Sequence, residues 1–278
     1  MTARPSPSQA TTADRHFAHN TMPEPDNRNF GIAISRAFDV LRCYSPSQPH
    51  LGVSEIARMT GLPKATVSRL TYTLESLGYL YRLMPTGKYR LGWGVLSLGY
   101  PLLASMPLRQ IARPAMHALA VKLRCNVNLG TIDRLSVVYV ETARFDETSV
   151  ARPDIGATHP LLKSSIGLAI LANMDPRRRQ PIENRLRIAD QAAWQTAMPR
   201  VESCRKDLTR LGYCATESAV HPGYLTIAAP MRVPAYEEPL AFNCAMPASQ
   251  VRKGEVEREI GPRLVAMAKS VELGLGYS

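Results

Sequence analysis

This chain of 278 residues carries no recognisable catalytic signature. There is no Gly-x-Ser-x-Gly elbow, no P-loop, no His-Glu-x-x-His, and no glycine fingerprint opening a helix after a strand. Its five cysteines (Cys43, Cys125, Cys204, Cys214, Cys244) stand singly, with no Cys-x-x-Cys pair. Neither a disulfide framework nor a zinc ribbon is indicated, and a reducing cytoplasm is the expected compartment. Six histidines are scattered. Of these, His159 and His221, taken with Cys244 or Glu217, are the residue types nearest to a metal set, but lone histidines seldom bind one, so neither metal nor cofactor is expected. No N-terminal apolar run resembles a signal peptide. Residues 91–108 are free of charge, yet Gly92, Gly94, Gly99, Pro101 and Pro107 interrupt them. That run reads as a connecting helix, and no membrane contact is expected.

Acidic residues are also short: 34 Lys and Arg face 23 Asp and Glu, a formal charge of +11. Such a balance favours an anionic partner. Its distribution is more telling. Residues 30–91 hold eight basic against three acidic side chains, whereas residues 92–278 hold 23 against 17. A chain of this length suits two domains and a connector. Residues 1–28, rich in Ser, Thr, Pro, Ala and Asn, lack apolar periodicity and are expected to be disordered.

The basic segment has the pattern of a helix-turn-helix. A scaffold helix over 32–44 places Ile34, Ala37, Phe38 and Leu41 at helical spacing. A short helix over 54–59 follows, with Ile56 and Ala57 apolar, and Gly61 suits a tight turn. The next helix is expected to start at Pro63, where the missing amide costs nothing, and to stop at Gly78. Val67, Leu70, Leu74 and Leu77 form its apolar face. Lys64, Ala65, Thr66, Ser68, Arg69 and Tyr72 occupy the other side, a composition suited to phosphates and base edges in a major groove. Residues 79–91 then read as a two-stranded ribbon about Pro-Thr-Gly, a wing whose Arg82, Lys88 and Arg90 are placed to grip a phosphate backbone. Residues 51–53 are a candidate third strand.

Beyond the connector, a helix is expected over 110–123, with Ile111, Met116, Leu119, Ala120 and Leu123 on one side. The period then changes to two. Residues 126–142 alternate as a hairpin turning at Asp133-Arg134, with Val127, Leu129, Val138 and Val140 inward. A helix capped by Ser164 or Ser165 follows. Asp175 opens another, whose Arg177-Arg178-Arg179 reads as a solvated face. Residues 199–211 are helical, and LTIAAPMRV and PLAFNCAMP are strand candidates. Antiparallel strands with helices gathered around them make the fold class α+β.

In order along the chain, ISRAFDVLRCY, VSEIARMTGLPKATVSRLTYTLESLGYL and GKYRLGWGVLSLG resemble the winged helix-turn-helix half of the IclR (isocitrate lyase regulator) family of bacterial transcription factors. RLSVVYVET, DIGATHPLLKSSIGLAILA, LTRLGYCATES, HPGYLTIAAPM and LGLGYS resemble its effector-binding half. The resemblance spans residues 30–278. It implies a winged helix-turn-helix DNA-binding domain over 29–91, a linker helix over 92–108 and a GAF-like α/β effector-binding domain with an antiparallel sheet over 109–278. It further implies subunit pairing through Trp93, Leu96 and Tyr100. Carried over by position, the effector-binding residues are His159, Ser164, Ser165, Ile166, Thr216, Tyr224, Thr226, Cys244 and Met246. The chain departs from the family at Leu168, where a Lys is frequent, at Thr216, an acidic position, at Thr226, usually Cys, and at His159, commonly apolar. These departures fall where ligand identity is decided.

The expected function is therefore transcriptional regulation: a homo-oligomer, dimer or tetramer, binds a double-stranded DNA operator with an affinity set by a small organic or aromatic acid. Two rivals belong to other classes. One is a small-acid enzyme with a helix-turn-helix assembly domain, which turnover of such acids would reveal. The other is a ligand-independent architectural DNA binder, for which no ligand would raise thermal stability.

Overall fold

A computed structural model describes residues 30–145, 154–232 and 238–277. The N-terminal segment expected to be disordered lies outside the described residues. The chain divides into two compact units between Ser105 and Met106.

The first unit opens with α1 (Ile32–Arg42), α2 (Val53–Thr60) and α3 (Lys64–Ser76), followed by strands β1 (Leu80–Leu83) and β2 (Lys88–Leu91) and by α4 (Trp93–Ala104). Two apolar stripes compete on α1. Val40 is buried, with Ala37, Leu41 and Tyr44 packed on the same core, so Ile34 and Phe38, expected inward, are 66% and 46% exposed. Gly61 ends α2 at φ +70°, where a Cβ would strain the turn. Pro63 is the residue before α3 rather than its first turn, in extended geometry. The buried stripe of α3 is Val67, Thr71 and Leu74, while Leu77, beyond the last turn, is 63% exposed. Burying Thr71 is tolerable because its hydroxyl donates to the Ser68 carbonyl at 3.1 Å. The ribbon pairs Leu80 with Leu91 and Leu83 with Lys88. Leu51 adds a bridge to Tyr89 through two backbone hydrogen bonds. No residue of α4 is buried, and Trp93, Leu96, Leu98, Tyr100 and Leu102 are all exposed.

The second unit is built on one antiparallel sheet of six strands. After α5 (Pro107–Leu123) come β3 (Asn126–Asp133), β4 (Ser136–Ala143), β5 (Thr158–Pro160), α6 (Ser165–Asn173), α7 (Pro176–Ala189), α8 (Gln191–Leu211), β6 (Cys214–Glu217), β7 (Tyr224–Pro230), β8 (Leu240–Pro247) and α9 (Gly261–Gly274). The strand order is β5-β4-β3-β8-β7-β6. One sheet face carries Val127, Leu129, Ile227, Phe242 and Cys244 under α5 and α9. The other carries Val137, Tyr139, Ala228 and Ala241 under α6 and α8.

Several local expectations shift. The β3–β4 turn is Arg134-Leu135, because Asp133 pairs with Ser136. Val127, Leu129 and Val140 are buried as expected and Val138 is half-buried, while Val137 and Tyr139 are buried as well because the opposite face of the sheet is also covered. Helix α8 begins at Gln191, capped by Asp190, and runs through Pro199 instead of starting there. Strands β5 and β6 and helix α9 had no clear signal. Among the described residues no helix is long and apolar enough to cross a membrane.

Glu55 ties the first unit together: it accepts from the Gly52 amide at 2.7 Å, closing the start of α2, and pairs with Lys88 of β2 at 3.1 Å. The Gly52 amide, then Lys88, hold its carboxyl below the usual range. A carboxyl depressed on folding stabilises above its unfolded pKa and loses that contribution as pH falls through the folded value. Glu55→Ala is expected to cost about 1 kcal/mol at neutral pH, and the difference from wild type should shrink in acid. Chemical denaturation followed at two pH values checks both.

Candidate functional site

The expected site residues fall on two separate surfaces, one in each unit. On α3, Lys64, Ala65, Ser68, Arg69 and Tyr72 are exposed and Thr66 is half-buried, so the six expected residues share one open flank of the helix. Lys64 and Arg69 have no ion pair among the described residues, which leaves both charges available. The wing differs from expectation. Only Arg82 extends freely. Lys88 is engaged by Glu55. Arg90 donates to the Leu91 carbonyl at 3.0 Å and lies over the Tyr81 ring at 4.6 Å and the Trp93 ring at 5.9 Å. Their spacing had shown two basic strands, but not that neighbouring carboxylate and aromatic groups would claim two of the three cations.

The second surface is a chamber of about 90 Å³ on the α6 side of the sheet. Its floor follows from strand pairing. Asn128 faces Asn243, Asn126 faces Ala245, and Thr226 faces Ala245, so these alternate residues point to one side. A buried chain crosses this floor: the Asn128 amide donates to the Asn243 oxygen and the Asn243 amide to the Ser165 hydroxyl, each at 2.9 Å. The chain anchors the first turn of α6 to the sheet. Gly167 lets the helix approach closely, since a Cβ there would stand 2.2 Å from the Leu161 carbonyl oxygen.

Ser164 precedes this helix but does not cap it with its side chain. Its Oγ is buried and has no hydrogen-bond partner among the described residues. Lys163 stands beside it. Four rings rim the space in succession: Tyr139 to His159 at 5.0 Å, His159 to His221 at 6.5 Å, and His221 to Tyr224 at 6.1 Å. Burial pushes the Tyr139 phenol up to about 12, against the opposing pull of a hydrogen bond with Asn243, so it stays protonated. Helix-start amides, an unsatisfied hydroxyl and a lysine are a chemistry for anions.

Of the nine residues expected to meet a ligand, the structure brings His159, Ser164, Ser165, Tyr224 and Thr226 to this chamber. Thr216 lies behind it, its hydroxyl 3.2 Å from that of Thr226. Ile166 packs into the core beneath α6. Cys244 and Met246 belong to the opposite sheet face. They are one residue out of phase with Asn243 and Ala245, which do line the chamber. Contact with the Cys125 thiol, then burial, hold the Cys244 thiol well above its ordinary range, as an inert core group. Among the described residues no three His, Cys, Asp or Glu side chains gather as a metal site. Asn126, Asn128, Lys163, Ser218, His221 and Asn243 also line the chamber. For Asn126 and Asn128 the repeated Asn at alternate strand positions was the available signal.

The family model of the IclR helix-turn-helix domain matches residues 33–83, and that of the bacterial transcriptional regulator IclR C-terminal domain matches residues 101–273. The chain belongs to the IclR family of transcriptional regulators. The HTH-type transcriptional regulator TsaQ1/TsaQ2 of Comamonas testosteroni is 33% identical over 86% of this chain and 87% of its own length. The Pca regulon regulatory protein of Pseudomonas putida is 24% identical over 96% and 94%. An IclR family transcriptional regulator from Brucella abortus, solved by crystallography, superposes with a TM-score of 0.81 at 36% identity, covering 93% of this chain and 97% of that one. An IclR homolog from Microbacterium hydrocarbonoxydans, complexed with 4-hydroxybenzoate, shares the fold at a TM-score of 0.66 and 23% identity, over 88% and 100%.

This regulator thus combines an N-terminal helix-turn-helix with a C-terminal α/β domain on an antiparallel sheet, and it is a DNA-binding protein rather than an enzyme. In its C-terminal domain, Asn243 is the joint between sheet and helix. Asn243→Ala strands the Asn128 amide and the Ser165 hydroxyl in a buried place, at an expected cost of about 1–3 kcal/mol. Thermal and urea unfolding of the purified variant measure it.

Proposed function

We propose that this IclR-family regulator binds its operator through the open flank of α3 and that an acid seated in the sheet-face chamber changes its DNA affinity. The observation that carries the ligand reading is Ser164. A hydroxyl buried without a partner at a helix start is costly unless something fills the space, and an anionic oxygen satisfies it together with the α6 amides and Lys163. The rim of Tyr139, His159, His221 and Tyr224 suits a flat ligand. The 4-hydroxybenzoate bound by the Microbacterium homolog is an acid of this kind. The apolar, unburied α4 supports a homo-oligomer, in which paired subunits present two reading helices to two half-sites.

The chain reads DNA with Lys64, Thr66, Ser68, Arg69 and Tyr72, and of the wing cations Arg82 is the one left to meet phosphate. Arg69→Ala and Lys64→Ala are expected to weaken operator binding about tenfold or more with unchanged thermal stability. The variant that loses a phosphate contact should flatten the salt dependence of log K by about one unit. Fluorescence titration against the protein's own upstream DNA, with scrambled DNA as control, makes the test. Wild-type affinity in Arg69→Ala would contradict the assigned face. Leu96→Glu is expected to split the oligomer, which sedimentation velocity reads directly.

A further inference from the structure

The chamber is too small to be the whole of a ligand site. At about 90 Å³ it falls short of the roughly 300–1,000 Å³ of ordinary small-molecule pockets. It is not closed off, however. Asn126, Tyr224 and Ala245 line the chamber and equally line a second hollow of about 780 Å³ around the ends of β3 and β8. Three cations line that groove, Lys122, Arg124 and Arg252, against two carboxylates: Glu255 accepts from the Arg252 backbone amide at 2.7 Å, and Glu259 is paired with Arg263 at 3.0 Å. Arg124 is held in place from two sides. Its backbone takes the left-handed conformation that ends α5, and its guanidinium lies 4.9 Å over the Phe145 ring.

We propose that the effector is an acid with two anionic ends. One end docks on Ser164 at the start of α6. The second passes between Asn126 and Tyr224 into the groove and meets Arg124 and Arg252. From Asn243, beside Ser165, to Ala245, at the shared mouth, is two residues of strand, roughly 7 Å. A ring with acid groups at opposite positions is long enough to bring its outer acid to that mouth, where the groove begins. A monoacid leaves the outer arginines unanswered. This assignment rests on the chamber being the effector site, so the test separates the two.

Isothermal titration of the full-length protein with benzene-1,4-dicarboxylate, benzoate and 4-methylbenzoate compares ligands alike in ring and inner acid. The dicarboxylate is expected to bind about tenfold or more tightly than either monoacid, the effect of one charge-assisted contact. Arg124→Gln and Arg252→Gln should bring the dicarboxylate down to the monoacid level without changing the monoacids, and Ser164→Ala should weaken all three. Equal binding of mono- and dicarboxylate, indifferent to both arginine variants but sensitive to Ser164→Ala, overturns the two-ended ligand and leaves the chamber intact. Binding of none of the three, or binding indifferent to Ser164→Ala, overturns the chamber as well.

Discussion

A sheet covered by helices on both faces has to bury every side chain of its central strands, and each strand must divide them between two different environments. In β8 the division is plain. Phe242 and Cys244 go to the α5 and α9 side, where they pack in an apolar cluster. Asn243 and Ala245 go to the α6 side, where polarity is tolerated because Asn128, Asn243 and Ser165 satisfy one another. Replacing that chain with apolar packing would fill the space. Keeping it holds a chamber open and fixes the helix that forms its wall. The chamber is thus a by-product of strand parity, with the polar residues placed where a helix start can add its amides.

The N-terminal unit uses a similar economy. Glu55 closes the first turn of α2 and at the same time holds β2 through Lys88, so one carboxylate sets the reading pair of helices against the wing. Lys88 is then a structural cation. Arg90, over Tyr81 and Trp93, connects the wing to the first residue of α4. Charges that looked equivalent along the chain divide into those that maintain the domain, such as Lys88 and Arg90, and those with no ion pair among the described residues, such as Lys64, Arg69 and Arg82.

The helix-turn-helix was legible because its signals are local: Gly61 at a turn, Pro63 before a helix, a 3.6-residue stripe, a turn between two strands. Where two readings shared one period, the chain alone did not choose. On α1 the spacing offers Ile34, Ala37, Phe38 and Leu41, of which Ala37 and Leu41 pack on the core beside Val40 while Ile34 and Phe38 stay exposed. The chamber was half legible. Of the residues expected from the family resemblance, Ser164, Ser165, His159, Tyr224 and Thr226 line the chamber, whereas Cys244 and Met246 lie one step of strand phase away, on the opposite face. That phase is set by pairing with β3 across more than a hundred residues, and no local pattern carries it. Edge strands β5 and β6, three and four residues long, are too short for a period to emerge.

Regulation requires coupling: one small acid must bind the DNA-competent and DNA-incompetent arrangements with unequal affinity. The direct measurement is reciprocal. Operator affinity is titrated with and without a saturating acid that stabilises the protein, and acid affinity is titrated with and without operator, at one salt concentration. The two affinities are expected to change by the same factor, on the order of 5–150-fold. An acid that binds the chamber while leaving operator affinity unchanged would contradict it, and would leave a DNA-binding protein whose pocket has no part in regulation.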